Sequence, residues 1–240
     1  MRPVLGLETS GRLTGAALAL GGRLLGETAV DIAVGRDELL LALAEELLRR
    51  HGLRVQDLAR VGVSLGPGSF TGIRVGVAAA QALCLGAGLP LVGVPSHQAM
   101  AYPFAGLEVT TVLLTGLRKG QVFVEAGSWT EGRWRPDLAG TSVPLEDLAA
   151  HLEPVLGLRE SSSAIRSLFL GEAVESVRER VPELFVRGDR IGAGLAVARR
   201  PGPVALLAAR PDSVSVEAGE IEQMQPLYLR AADARKPGTH

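Results

Sequence analysis

The chain has 240 residues, enough for one large domain or two small ones, and its 47% hydrophobic and 21% charged residues make a globular composition. Lys and Arg number 25 and Asp and Glu 26, so the net charge of -1 argues against nucleic-acid binding through bulk charge. The single cysteine excludes an intrachain disulfide, and the four histidines lack zinc-ligand spacing, so we expect no metal.

Three β-type runs open the chain, at residues 4–9, 13–20 and 23–30, and hairpin-type turns separate them. Because no signal-peptide pattern precedes the first run, we expect a cytoplasmic protein. A helix is predicted next, at Asp37–Arg50, with Asp37 as its N-cap and Gly52 after its end.

A glycine-rich turn is the most distinctive feature of the sequence. It follows an apolar run at 61–65 and leads into a long apolar helix, predicted at Gly72–Ala87 with Ser69 as N-cap. Glycines there either allow a positive φ or let a backbone or a ligand come close. P-loop and dinucleotide spacings are both missing, so we interpret the turn as structural. Its residues are Gly66, Pro67, Gly68, Ser69 and Gly72.

A strand at 89–94 and a helix at 97–101, capped by Ser96, complete a β-β-β-α-β-α-β-α order. Antiparallel strands followed by right-handed crossovers to parallel strands make a mixed sheet covered by helices. The order is similar to that of ribonuclease-H-like folds, including the half-domains of the actin-like superfamily. By itself it implies no activity.

The same order starts again, less clearly, after Pro103. Its predicted elements are strands at 109–114, 122–128, 168–170 and 184–186, a strand or loop at 133–136, and helices starting at 143–144, at 172–180 and from Pro203 to Arg210. We therefore predict two lobes. Residues 1–104 would form a ribonuclease-H-like lobe that carries the partner-binding helices, and residues 105–240 a smaller, degenerate lobe with a disordered tail after 225.

Both long helices carry more apolar surface than one sheet can cover. Leucines and alanines of the helix Asp37–Arg50 sweep roughly 200°, twice the stripe that a surface helix needs. The helix Gly72–Ala87 has only Arg74 and Gln81 as strongly polar positions, although Pro90 and its small residues argue against a membrane span. A partner surface is predicted here, with mutual packing and the second lobe as the alternative cover. The predicted partner-binding residues are Leu40, Leu43, Leu47, Ile73, Gly76, Val77 and Ala80.

Candidates for chemistry are few. The sequence has no Gly-x-Ser-x-Gly elbow, and we predict no catalytic residue and no cofactor. Glu8, Thr9 and Ser10 stand where the actin-like superfamily holds its first phosphate loop, and they are the only cofactor-binding candidates; the alternative for Glu8 is a solvated carboxylate. His97 is placed either at a lobe boundary or in a local hydrogen bond at a helix start.

Five segments together carry a family resemblance: Gly66-Pro-Gly-Ser-Phe-Thr-Gly-Ile-Arg-Val-Gly, which is the most specific, Leu5-Gly-Leu-Glu-Thr-Ser, Val92-Gly-Val-Pro-Ser, Gly116-Leu-Arg-Lys-Gly-Gln-Val-Phe and Pro226-Leu-Tyr-Leu-Arg. From residue 4 to residue 230 the chain resembles the TsaB (YeaZ) family, bacterial subunits of the machinery that makes threonylcarbamoyladenosine in tRNA. The resemblance implies a two-lobed actin-like (ASKHA) fold with mixed sheets. It also implies a non-catalytic role that binds and supports the catalytic paralogue TsaD, with the ATPase TsaE as third member.

We also expect a homodimer through the two apolar helices when the chain is alone, contact with tRNA only through the complex, and no membrane association. Three positions depart from the family pattern: Glu8, where Asp is frequent, Arg36–Glu38, where His-Ser-Glu is frequent, and Gly116–Arg118, where Asp-Ala-Arg is common. Each departure weakens inherited phosphate or metal chemistry at its position. The alternatives are a stand-alone ATPase or phosphotransferase of the actin-like superfamily, or a homodimer without a partner.

Overall fold

The computed structural model describes residues 1–31, 39–107, 109–156, 167–186, 189–192, 198–217 and 219–227, and of residues 117 and 118 the backbone only. Its strands are β1 (Val4–Glu8), β2 (Leu13–Leu20), β3 (Arg23–Asp31), β4 (Arg60–Ser64), β5 (Leu91–Val94), β6 (Thr110–Arg118), β7 (Gln121–Thr130), β8 (Arg133–Pro144), β9 (Ser167–Leu170), β10 (Arg190–Ile191) and β11 (Ser215–Val216). Its helices are α1 (Leu39–Arg50), α2 (Phe70–Ala87), α3 (Ser96–Ala101), α4 (Leu148–Leu156), α5 (Val174–Arg180) and α6 (Pro201–Ala208).

The first sheet has the order β11-β5-β4-β1-β2-β3. β1 is antiparallel to β2 and parallel to β4, and β4 is parallel to β5. Alternate residues of the central strands face opposite layers, as a pleated strand requires. Leu5 and Leu7 pack towards α1 and α2, whereas Gly6 faces α6, where a methyl group would lie 2.3 Å from the backbone nitrogen of Ala205. A small residue at that position lets α6 pack close to the sheet.

The second sheet, β10-β9-β6-β7-β8, repeats the connectivity of the first. β6 pairs with β7 antiparallel and with β9 parallel, as β1 does with β2 and β4. α4 and α5 cover its outer face through an apolar cluster that includes Leu148, Leu152 and Phe169. The mixed sheets flanked by helices confirm the predicted fold class.

A shared apolar layer joins the two sheets. α3 and α6 lie between them, and one cluster contains Val94 of the first sheet, Met100 of α3, Val204 of α6 and Leu170 of the second sheet. The described elements therefore stack as helices, sheet, helices, sheet, helices. Although α6 and β11 come late in the chain, both contact the first sheet. The division at residue 104 stays a prediction.

Several local predictions are confirmed and others are wrong. The helix predicted to start at 143–144 begins only at Leu148, because β8 continues to Pro144. Ser69 caps α2, since its hydroxyl accepts a hydrogen bond from the Gly72 amide. Ser96 is not a cap but the first residue of α3, because its hydroxyl accepts from the Gly66 amide instead. α6 begins at Pro201 and not at Pro203, since a first helical turn tolerates both prolines. Residues 184–186 form no strand, because Phe185 donates locally to Pro182.

Two predictions concern segments outside the described residues. They are the Asp37 cap and the tail from residue 228 onwards.

Candidate interaction surface and polar sites

The glycine turn before α2 lets two backbones come close. Gly66 has a φ of +101°, and it exchanges two hydrogen bonds with Ser96, at 3.0 Å and 2.8 Å. A methyl group on Gly68 would lie 2.1 Å from the carbonyl oxygen of Ser10, and one on Gly72 would lie 2.2 Å from that of Thr9. Of the two roles open to these glycines, close backbone approach is the one that the packing favours.

The loop after β1 is buried behind this turn, so Glu8 is not a solvated carboxylate. Glu8, Thr9 and Ser10 are at most 1% exposed. The Oε1 atom of Glu8 accepts from the Ser10 amide at 2.5 Å and from the Ser64 hydroxyl at 3.0 Å. Burial raises the pKa of Glu8, although these hydrogen bonds and the charge of Arg199 oppose the rise. A ligand in solvent could not reach these three side chains without displacing α2 or the turn.

Arg199 connects this loop to the second sheet. Its Nη1 donates to the Ser10 carbonyl at 2.6 Å, and its Nη2 donates to Glu172 at 3.1 Å. Glu172 also accepts from the Gly116 amide at 3.1 Å. The Arg199 side chain is only 5% exposed, and its position was not predicted from the sequence. Nothing near residue 199 in the sequence signals a contact with residue 10.

A second buried network surrounds His97, which connects α3 to β6 and β7 of the second sheet. Its Nδ1 lies 2.9 Å from Glu125, and its Nε2 lies 3.0 Å from the Thr115 hydroxyl. Glu125 also accepts from the Trp134 indole N–H at 3.0 Å. Burial lowers the pKa of His97. A hydroxyl, an imidazole and a carboxylate in series form a proton relay, but Thr115 is 2% exposed and offers no approach to a substrate.

A polar cleft of about 410 Å³ opens beside the second sheet, and its lining includes Gly116, Lys119, Glu172, Ser176 and Arg180. The candidates Glu8, Thr9 and Ser10 do not line it. Over the described ranges, no group of three His, Cys, Asp or Glu side chains is placed to hold a metal ion. The expected lack of a catalytic residue, metal and cofactor stays a prediction.

The predicted partner-binding residues face mostly inwards. Six of the seven are buried against the first sheet or its loops: Leu40, Leu47, Ile73, Gly76, Val77 and Ala80. Leu43 is half-buried. Gly76 packs on Thr9 of the same chain, where a methyl group would lie 2.2 Å from the hydroxyl oxygen. A direct contact of these residues with a partner stays a prediction, and the packing favours other residues of the same helices.

We call one set of exposed residues on these two helices the outer face. They are Leu41 and Ala42 of α1 with Phe70, Arg74, Ala78, Ala82 and Leu85 of α2. Leu41 is 46% exposed, Phe70 51% and Leu85 47%. The Arg74 guanidinium lies 5.4 Å from the centre of the Phe70 ring, a cation–π distance.

α2 owes its exposed apolar character to its position at the edge of the molecule. By length and composition alone it could cross a membrane, and only 33% of that stretch is buried. One such helix is weak grounds for a membrane span, because helices packed in a protein pass the same test. On one flank, Gln81 holds the C-terminal segment through the carbonyls of Ile221 and Met224, at 2.9 Å and 3.1 Å. Among the residues that the structure describes, none covers the large apolar side chains of the outer face completely beside that segment.

The repeated sheet order and the shared helical layer define a protein with the fold of the actin-like superfamily. YeaZ from Pseudomonas aeruginosa has a similar structure, with a TM-score of 0.72 over 95% of this chain and 100% of that chain, at 22% identity. Component A of (R)-2-hydroxyglutaryl-CoA dehydratase from Acidaminococcus fermentans matches with a TM-score of 0.50 over 86% of this chain and 97% of that chain, at 11% identity. Likenesses at this identity show the fold alone.

Sequence comparison is more specific. A family model described as TsaD, tRNA N6-adenosine threonylcarbamoyltransferase, matches residues 36–131. The tRNA threonylcarbamoyladenosine biosynthesis protein TsaB of Bacillus subtilis is 24% identical over 96% of this chain and 95% of its own length. TsaB of Escherichia coli is 32% identical over 41% of this chain and 48% of its own length. These matches support the TsaB (YeaZ) family for this chain.

Proposed function

We propose that this chain is a non-catalytic subunit in the synthesis of threonylcarbamoyladenosine in tRNA, and that it binds a TsaD-type catalytic paralogue through the outer face. One observation carries the proposal: three large apolar side chains, Leu41, Phe70 and Leu85, stay about half exposed on two adjacent helices. Such patches usually mark binding sites. At ~25 cal/mol per Å², a few hundred Å² of apolar surface left in water forgoes several kcal/mol.

The same two helices indicate the kind of protein that the partner is. The stretch that matches the TsaD family, residues 36–131, contains both α1 and α2. A TsaD-type partner would therefore present a related helix pair, and the two pairs would pack as four helices about a pseudo-two-fold axis. When the partner is absent, a second copy of this chain would use the same face twice, as a two-fold dimer requires.

Phe70 and Arg74 are the expected centre of the contact. A large aromatic ring with an arginine stacked on it is the kind of pair that dominates binding energy when water is excluded around it. A TsaE-type ATPase as third member, and tRNA reached through the complex, belong to the same proposal.

The non-catalytic part of the proposal rests on the loop after β1. Glu8, Thr9 and Ser10 are buried under α2 and the glycine turn, which argues against a phosphate or a metal ion at that position. Steady ATP hydrolysis by the purified chain alone would instead support the alternative, a stand-alone ATPase.

The test replaces outer-face residues and leaves the core intact. We expect Leu41→Asp and Ala82→Asp to keep wild-type circular dichroism and unfolding curves, and to lose both the homodimer in light scattering and the capture of a purified TsaD-type partner. Leu107→Asp is the matched control, since Leu107 is 45% exposed outside both helices. Wild-type capture by both outer-face variants would contradict the proposal.

A further inference from the structure

Arginines that are far apart in sequence meet at one end of the first lobe. Val4 pairs with Ala19 and with Arg60, so the start of β1, the start of β4 and the end of β2 share this end of the sheet. Arg23 is there too, opposite Leu20, and α1 reaches this end with its last residues because they lead into β4. We call this the basic end. Its arginines are Arg2, Arg23, Arg49, Arg50, Arg54 and Arg60.

Positive charge outweighs negative charge at the basic end, although the whole chain has a net charge of -1. Three of its arginines have largely exposed side chains: Arg49 at 71%, Arg50 at 69% and Arg54 at 80%. Glu46 forms ion pairs with both Arg49 and Arg50, at 2.6 Å and 2.7 Å. One carboxylate therefore balances only part of the charge of two guanidinium groups. Both guanidinium groups keep N–H donors for another ligand.

The contacts of the other arginines at this end also leave positive charge in excess. Asp57 accepts from Arg54 at 3.5 Å, and Arg2 donates to the backbone carbonyls of Gln56 and Asp57. Arg60 donates to the Ser213 hydroxyl, a neutral partner. Glu45 is the other described carboxylate of α1. Glu217 and Glu220 follow β11 at the far edge of the sheet, beyond β5.

We propose that the basic end binds the phosphate backbone of RNA. Guanidinium groups match phosphate oxygens in a bidentate geometry and lose little hydration on binding. The inference rests on the proposed function, because RNA as the class of polyanion comes from tRNA modification. It goes beyond that function by giving this chain a direct contact with the nucleic acid.

RNA and protein partner could bind together. Arg50 lies nine residues after Leu41 on α1, about 14 Å along the helix axis. The basic end is therefore next to the outer face and separate from it. An RNA bound here would extend beside the partner that occupies the outer face.

The test measures the affinity of the full chain for a tRNA transcript as a function of salt, alone and with a TsaD-type partner. The variant is Arg50→Gln with Arg54→Gln. We expect weaker binding, and a plot of log affinity against log salt whose slope falls by about 2, one unit for each lost phosphate contact. The matched control is Arg178→Gln with Arg190→Gln, which removes the same charge from exposed arginines of the second lobe and should leave affinity and slope unchanged.

Each outcome decides. Unchanged affinity and slope in the Arg50/Arg54 variant, equal losses in the control, or no RNA binding by wild type in either state would overturn the proposal. Polyglutamate that competes as well as tRNA would indicate an acidic protein partner and overturn the RNA assignment. The two proposals fail separately: arginine-dependent RNA binding without partner capture contradicts only the proposed function, and partner capture without arginine-dependent RNA binding contradicts only the basic end.

Discussion

At the scale of residues, burial decides the behaviour of Glu8 and His97. Glu8 carries one Oε2 atom that has no hydrogen-bond partner among the described residues, so its ionised form is poorly compensated. His97 has partners on both ring nitrogens, but burial still disfavours its charged form. Burial penalises the charged form in both cases, which moves the two pKa values in opposite directions.

For Glu8 we predict stability that falls as pH rises. The folded-state pKa of Glu8 lies above the ordinary value of 4.5. At pH values between the ordinary and the folded-state pKa, the folded protein therefore binds more protons than the unfolded chain. The free energy of unfolding then decreases with rising pH through that window. Glu8→Gln should remove this decrease, as measured by urea unfolding from pH 4.5 to 8. The exposed Glu175→Gln serves as control, and identical pH profiles for wild type and Glu8→Gln would refute the assignment.

For His97 the sign is reversed. Its folded-state pKa lies below the ordinary 6.5, so below pH 6.5 the unfolded chain binds more protons and stability is lost as pH falls. His97→Gln should reduce this loss of stability at acid pH. Both tryptophans of the chain are close by, since Trp134 donates to Glu125 and packs on Trp129, so their fluorescence can report the transition. If the variant loses stability with falling pH as steeply as wild type, His97 does not cause that loss.

At the scale of elements, two glycines of α2 have opposite surroundings. Gly76 faces Thr9, whereas at Gly86 no atom of the described residues outside the adjoining helix backbone lies within 4 Å of the position that a methyl group would take. We predict that Gly76→Ala destabilises the fold by about 1–3 kcal/mol, because overpacking outweighs the gain in helix propensity. Gly86→Ala should be neutral or stabilise by up to about 1 kcal/mol.

Equilibrium unfolding of both glycine variants checks this pair. Destabilisation of Gly76→Ala is also the outcome that separates a packing role from a partner-binding role. A Gly76→Ala protein as stable as wild type, but unable to capture the TsaD-type partner, would restore Gly76 to the partner surface.

At the scale of the whole molecule, Arg199 connects the loop after β1 to Glu172, which follows β9 of the second sheet. It donates to the Ser10 carbonyl on one side and to Glu172 on the other. We predict that Arg199→Met costs about 1–3 kcal/mol, because it leaves a buried carbonyl with fewer donors. Glu172→Gln should cost less than about 1 kcal/mol, since Glu172 is 55% exposed.

Hydrogen exchange locates the effect of these substitutions. Arg199→Met should speed exchange both in the loop after β1 and around Gly116, whereas Glu172→Gln should change only the latter. If exchange around Ser10 is as slow in Arg199→Met as in wild type, Arg199 does not hold the loop after β1 in place.

The sequence by itself determined the local elements and the family. Apolar runs and the turn residues between them placed β1 to β5, and Ser69 predicted the start of α2. The Gly-Pro-Gly-Ser-Phe-Thr-Gly-Ile-Arg segment carried the resemblance to the TsaB (YeaZ) family. Only the tertiary structure decided which face of α1 and α2 is buried, because helices that are apolar on most sides have no periodicity that fixes their rotation. It also decided that Glu8 is buried and that Arg2, Arg23 and Arg50 share one end. The reason is the same in each case: contacts between residues distant in sequence depend on how the elements pack, and packing leaves no local signal.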